Sequence, residues 1–217
     1  MAIAMSKIFA IGDIHGCLDK LLALMDLLDV DWAQDTVIFM GDYVDRGPDS
    51  KQVVETVLEL RRKHQRIVCL AGNHEKMFLN WLDGREEAFF LSNGGRSTLQ
   101  SYGISPDERN RAAQVPPEHL EFFRSLLPYY DTDTHLFVHA GVRPGIPMEI
   151  QDPHDLIWIR HEFFMSDHGL KKTVVFGHTP FRGEPFVGEK MIGIDTGAVY
   201  GGPLTCLELP AMKFHQV

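Results

Sequence analysis

Five short polar clusters hold the residues of this sequence that could do chemistry, each following an apolar run and lying beside a glycine. They are Gly12-Asp13-Ile14-His15-Gly16, Gly41-Asp42-Tyr43-Val44-Asp45-Arg46-Gly47, Gly72-Asn73-His74-Glu75, His139-Ala140-Gly141 and Gly177-His178-Thr179-Pro180. Aspartate, asparagine and histidine bring oxygen and nitrogen donors without a thiolate, a set suited to hard or borderline metal ions and to proton transfer. Each cluster alone has a plainer reading. Asp13 could cap a helix, Asp45 and Arg46 could form a surface pair, and His139 or His178 could be a satisfied histidine after a strand. Their recurrence in order, at the end of one apolar run after another, favours a single shared site.

The elements that must position them follow from periodicity. Lys7–Ile11, Thr36–Met40 and Arg66–Ala71 read as strands, and Leu18–Leu28, Ser50–Lys63 and Glu75–Leu82 as helices, with Ser50 as an N-terminal cap. A βαβαβα order predicts parallel strands with right-handed crossovers, and ligand sites in such sheets form at the carboxyl ends of strands. Residues 83–128 are less regular, with Asn93-Gly94-Gly95 and Pro116-Pro117, and Pro117 opens a helix carrying Leu120, Phe123, Leu126 and Leu127. This stretch is expected to be a mostly helical insertion within a single domain spanning residues 1–217. Strands return at Leu136–Val138, Thr173–Phe176, Met191–Ile194 and Leu204–Leu209.

Composition narrows the class. With 217 residues, 44% of them hydrophobic and 24% charged, the chain can bury a core without disulfide or metal staples. Lys and Arg total 21 against 30 Asp and Glu, and the net charge of −9 opposes nonspecific binding to nucleic acid or anionic membranes. Cys17, Cys69 and Cys206 form no C-x-x-C pair, so neither a disulfide framework nor a zinc ribbon is expected, and a reducing cytoplasm fits. Met1–Lys7 has no basic region ahead of an apolar core, so no signal peptide is expected, and no run approaches the ~18 apolar residues of a membrane span.

Taken together the five blocks resemble those of the metallophosphoesterases, and more narrowly the phosphoprotein phosphatases, the binuclear-metal Ser/Thr phosphatases. His-Ala-Gly and the short chain are similar to the small bacterial, phage lambda phosphatase-like branch. The blocks run from Gly12 to Pro180, and Ile194-Asp195-Thr196-Gly197-Ala198 extends the likeness. The resemblance implies an α/β fold, a calcineurin-like sandwich of two mixed β-sheets flanked by helices. It implies two divalent metal ions, Mn²⁺ first, with Fe, Zn²⁺ or Mg²⁺ as alternatives. Asp13, His15 and Asp42 would hold the first, and Asp42, Asn73, His139 and His178 the second. Hydrolysis would proceed by direct attack of metal-activated hydroxide, with His74 as general acid, Asp45 orienting it, and Arg46 and Arg160 clamping phosphate.

The first functional expectation is a Ser/Thr protein phosphatase acting on a phosphorylated protein or small phosphoester. The alternative is a symmetrical diadenosine tetraphosphatase or related nucleotide hydrolase. Nucleotide-cleaving relatives typically carry Ala where this chain has Asp45, and Asp where it has Glu75, which favours the first. Arg143 is expected at the surface, Tyr43 and Tyr200 in packing, Cys17 at a helix start, and the remaining seven histidines in no chemical role.

Overall fold

The computed structural model describes residues 6–217. Residues 1–5, where the expectation of no signal peptide largely falls, lie outside the described residues. Three strand–helix units open the chain: β1 (Ile8–Ile11), α1 (Leu18–Leu27), β2 (Thr36–Phe39), α2 (Ser50–Lys63), β3 (Ile67–Cys69) and α3 (Asn73–Leu82). The insertion-like stretch contributes α4 (Glu87–Phe90), α5 (Arg96–Tyr102) and α6 (Pro117–Arg124). The remainder forms β4 (Tyr129–Asp131), β5 (His135–Val138), α7 (Pro153–Trp158), α8 (His161–Phe164), β6 (Thr173–Phe176), β7 (Phe186–Val187), β8 (Met191–Gly193), β9 (Thr205–Leu209) and β10 (Lys213–Gln216).

Two five-stranded mixed sheets result, in the orders β10-β9-β1-β2-β3 and β4-β5-β6-β8-β7. Neighbours β1–β2–β3 are parallel, as are β5–β6–β8, while β9 runs antiparallel to β1. Side chains alternate across each strand, which explains the unbroken apolar runs. Phe9, Ile11, Val37 and Phe39 face α1 and α2, whereas Ala10, Ile38 and Met40 face the opposing sheet and meet its Phe137, Val175 and Ile192. Leu136, Val138, Val174 and Phe176 point outward to Leu156 and Phe163 of α7 and α8. The fold is the α/β sandwich of two mixed sheets flanked by helices that the resemblance implied.

Three local readings need correction. Helix α3 begins at Asn73, so Asn73 and His74 occupy its first turn rather than a loop before it. Ser50 is the first residue of α2 and caps nothing; its Oγ accepts the Asp45 N–H at 3.1 Å, because holding the Asp42–Arg46 loop uses the hydroxyl elsewhere. Leu126 and Leu127 lie beyond the end of α6, and Leu127 pairs with Leu70 in a lone parallel bridge. Among the described residues no helix is long and apolar enough to cross a membrane.

Candidate metal centre and phosphate site

The carboxyl ends of β1, β2 and β3 lie side by side, as do those of β5 and β6 in the other sheet, and all five clusters meet along that edge. Reversing the chain there while aiming polar side chains inward requires unusual backbone. Among the described residues seven non-glycine residues have positive φ, and five of them belong to these clusters: His15, Asp42, Asp45, Arg46 and His178. Such conformations cost of order 1–3 kcal/mol each and persist where the surroundings over-determine them. The glycines make room: a Cβ at Gly177 would lie 2.2 Å from Asp13 Oδ1, and one at Gly72 would lie 2.1 Å from Asp42 Oδ1.

Two groups of buried side chains share Asp42. In one, His15, Asp42 and His74 bring ligand atoms within 4.8 Å of one another; in the other, Asp42, His139 and His178 do so. His139 Nε2 lies 3.1 Å from Asn73 Oδ1 and 3.4 Å from Asp42 Oδ1. Asp13 joins from the side, accepting the His178 N–H at 3.0 Å, and its oxygens do not fall within the His15 group. His74 is closer to Asp42 than a purely catalytic assignment suggests, its Nε2 lying 3.9 Å from Asp42 Oδ2. Nδ1 of His74 is already bonded to Asp45 Oδ2 at 2.7 Å.

The arrangement fits divalent cations on its own chemistry. His15 and His139 direct Nδ1 at the carbonyls of Val44 and Met40, at 2.7 and 2.9 Å. Each ring therefore donates from Nδ1 and presents Nε2 inward, the tautomer that second-sphere carbonyls impose on metal-bound histidines. Among the described residues His178 Nε2 is buried with no hydrogen-bond partner, an orphan a cation would satisfy. Burial holds His15 near about 3 and His178 near about 2, so both imidazoles are neutral donors. Burial drives Asp13 well above the carboxylate range, with Asp195 and Asp42 adding repulsion. Burial also disfavours a charged His139, yet Asp42 and Asp13 raise it to about 10. A site that pulls protons onto a carboxylate and an imidazole is short of positive charge.

That shortage makes a prediction. At neutral pH the proton on His139 must leave when cations bind, so Mn²⁺ binding to metal-free protein should release about one proton and tighten as pH rises. The sign follows from pKa values raised in the metal-free fold: higher pH removes the competing proton. Calorimetry in buffers of different ionisation enthalpy counts the protons, and binding that weakens between pH 6 and 9 would contradict this reading.

Around the acidic centre sit the two arginines expected to clamp phosphate. Arg46 donates to His15 Nε2 and lies over the Tyr200 ring at 5.5 Å, while its backbone N–H bonds to Gly94. Arg160 is half-buried and donates to Thr179 Oγ1 at 3.3 Å, next to His178. Arg143 instead pairs with Asp155 at the surface, Tyr43 is wholly buried with its hydroxyl on the Leu70 carbonyl, and Cys17 is half-buried ahead of α1.

Residues outside the expected set hold the centre together. Asp45 accepts from Thr98 Oγ1 at 2.6 Å, and its N–H bonds to the same hydroxyl at 2.8 Å. Burial pushes Asp45 up and His74 down to about 4, so the pair favours one shared proton over separated charges. Glu75 accepts four backbone N–H groups: Asp42 and Gly72 on one oxygen, Tyr43 and Val44 on the other, at 2.8–3.3 Å. Burial, with Asp42 beside it, raises Glu75 to about 8, but four donors over both oxygens leave a carboxylic proton no acceptor. Glu75 was legible only as part of Gly-Asn-His-Glu, and nothing in the sequence marked Thr98.

Known proteins resemble this chain over nearly its whole length. A model of the calcineurin-like phosphoesterase family matches residues 6–207. The asymmetrical bis(5'-nucleosyl)-tetraphosphatase PrpE of Bacillus thuringiensis is 28% identical over 228 residues, spanning 94% of this chain and 90% of that one. A crystal structure provisionally assigned as a diadenosine tetraphosphatase superposes with a TM-score of 0.75 at 23% identity, covering 100% of this chain and 95% of the other. A serine/threonine phosphatase from Saccharomyces cerevisiae superposes at 0.66 with 17% identity, covering 93% and 72%. At such identities the two structures speak to the fold alone.

Proposed function

The chain belongs to the calcineurin-like phosphoesterase family and is a metal-dependent phosphoester hydrolase, and we propose that its substrate is a bis(5'-nucleosyl) tetraphosphate cleaved into unequal nucleotides. The observation that carries this reading is the near end-to-end match to a tetraphosphatase, 94% of one chain against 90% of the other. It reverses the order expected from the sequence, where Asp45 and Glu75 favoured a Ser/Thr phosphatase. It also replaces symmetrical cleavage by asymmetrical.

In this proposal Asp13, His15 and Asp42 hold one divalent cation, and Asp42, Asn73, His139 and His178 a second. An oxygen- and nitrogen-donor set without thiolate suits Mn²⁺, Fe or Mg²⁺, and Mn²⁺ remains the first choice. Bound cations supply Lewis-acid charge that acidifies water and neutralises phosphoryl oxygens. Arg46 and Arg160 bind the phosphate chain through planar N–H forks. His74 holds a proton at Nε2 for the leaving oxygen, with Asp45 fixing the ring through Nδ1. Burial alone keeps imidazolium unfavourable there, so the negative charge of an arriving polyphosphate is what raises the ring's proton affinity.

A second reading, hydrolysis of phosphoserine or phosphothreonine, draws on the 2.7 Å Asp45–His74 bond, which an alkoxide leaving group needs most. Specificity constants separate the two. The Mn²⁺-loaded protein should prefer diadenosine tetraphosphate over a phosphoserine peptide by ~100-fold or more and release AMP with ATP. A preference for the peptide would overturn the proposal, and ADP as the sole product would restore symmetrical cleavage.

A further inference from the structure

Beside the metal centre lies a large cleft of about 880 Å³, within the size range of nucleotide-sized ligand sites. None of the residues assigned to metal, proton or phosphate chemistry lines it. Its continuity with the centre is direct. Gly72 and Glu75, at the start of α3, form one wall, and Trp158 forms another while setting its ring at 85° to His178, with centroids 5.9 Å apart.

Three features give the cleft a chemical character. The first is an aromatic wall: Trp158 lies against Phe89 at 5.8 Å and stacks on His154 at 6.0 Å and 19°. Phe89 is 47% exposed although it is large and apolar, so part of its ring has no protein partner. The second is charge. Lys76 and Arg124 line the cleft, and among the described residues neither forms an ion pair, while the two carboxylates that also line it are engaged, Glu75 by backbone N–H groups and Glu86 by Asn80. The third is a polar edge in which Asn80 Nδ2 donates to Glu86 Oε2 at 2.6 Å and the exposed Glu86 carboxylate keeps acceptor capacity at the rim.

From these we propose that the cleft is the subsite for one nucleoside arm of the substrate. The base lies against the Phe89–Trp158 wall, and Lys76 and Arg124 draw the adjoining phosphates from the metal centre. The Glu86 carboxylate is an acceptor that suits a base bearing an exocyclic amine, such as adenine. The inference rests on the tetraphosphatase reading, and it adds a physical reason for unequal cleavage. A deep cleft on one side of the centre fixes one nucleoside and so sets which phosphorus faces the metals. Base-on-aromatic stacking tolerates sequence but depends strongly on the ring.

Phe89→Ala tests it, since Phe89 is exposed and is none of the residues assigned to metal, proton or phosphate chemistry. The variant should lose roughly tenfold more kcat/KM on diadenosine tetraphosphate than on p-nitrophenyl phosphate, which has no nucleoside. Phe89→Trp should restore the dinucleotide rate to within about threefold. Equal losses on both substrates, or none on either, would overturn the subsite. Binding to metal-free protein separates this failure from that of the tetraphosphatase reading. AMP should bind more tightly than ribose 5-phosphate, and Phe89→Ala should erase the difference. If the wild type ignores the dinucleotide but retains that difference, the subsite stands and the substrate assignment falls; if AMP and ribose 5-phosphate bind alike, the subsite falls.

Discussion

Changing His74 to asparagine is expected to slow hydrolysis of an alkyl phosphate by roughly 10²- to 10⁴-fold, and that of diadenosine tetraphosphate much less. The difference lies in the leaving group. An alkoxide departs only with a proton, whereas a nucleotide phosphate is stable as an anion. The buried 2.7 Å bond to Asp45 fixes the ring, and Asp45 is itself fixed by Thr98 and Ser50, so little of the effect should come from disorder. Steady-state rates on a series of alkyl and aryl phosphates of graded leaving-group acidity measure it directly. A loss that does not change across the series would remove His74 from the proton-transfer role.

The site was legible because each ligand-type residue sits at the carboxyl end of a strand whose apolar run is easy to see. Topology then brings the ends together, β1, β2 and β3 being neighbours in one sheet and β5 and β6 in the other. The edge strands were not legible. Phe186–Val187 has only 2 residues, and Lys213–Gln216 is too polar to show an apolar run. Residues that hold the site were hidden for another reason. Thr98 reaches Asp45 across 53 positions, and a hydroxyl in a polar stretch announces nothing about its partner. The net charge of −9 described the whole chain, while Arg46, Arg160, Lys76 and Arg124 concentrate cations around the centre.

On the proposed substrate, Asp45 and Glu75 answer a different question from substrate class. Asp45 shows how a proton is held and Glu75 how a loop is held, and neither touches the part of a substrate beyond the phosphorus. Substrate class depends on what flanks the centre, and in the proposal that is the aromatic cleft built from α3, α4, α6 and α7, which carries Lys76 and Arg124. Those segments are spread from Asn73 to Trp158, so no local motif could display them together.

Glu75 is expected to tolerate a shorter carboxylate better than an isosteric amide, against the usual preference for conserved shape. In Glu75→Gln the new NH₂ group meets two of the four backbone N–H donors now taken up by the carboxylate. Losing hydrogen bonds to a charged acceptor and stranding two buried donors should cost about 3–5 kcal/mol. In a chain of this size that lowers the melting temperature by about 10 °C or more. Glu75→Asp keeps both acceptor oxygens and the charge and gives up reach, so its loss should be about half as large. Because those donors are the N–H groups of Gly72, Asp42, Tyr43 and Val44, the Gln variant should also bind Mn²⁺ more weakly, by the 10- to 100-fold that supporting residues typically contribute. Thermal unfolding of the metal-free variants and equilibrium dialysis with Mn²⁺ supply the two measurements. A Gln variant as stable as wild type and of equal metal affinity would show that shape, not the carboxylate, holds the loop carrying Asp42.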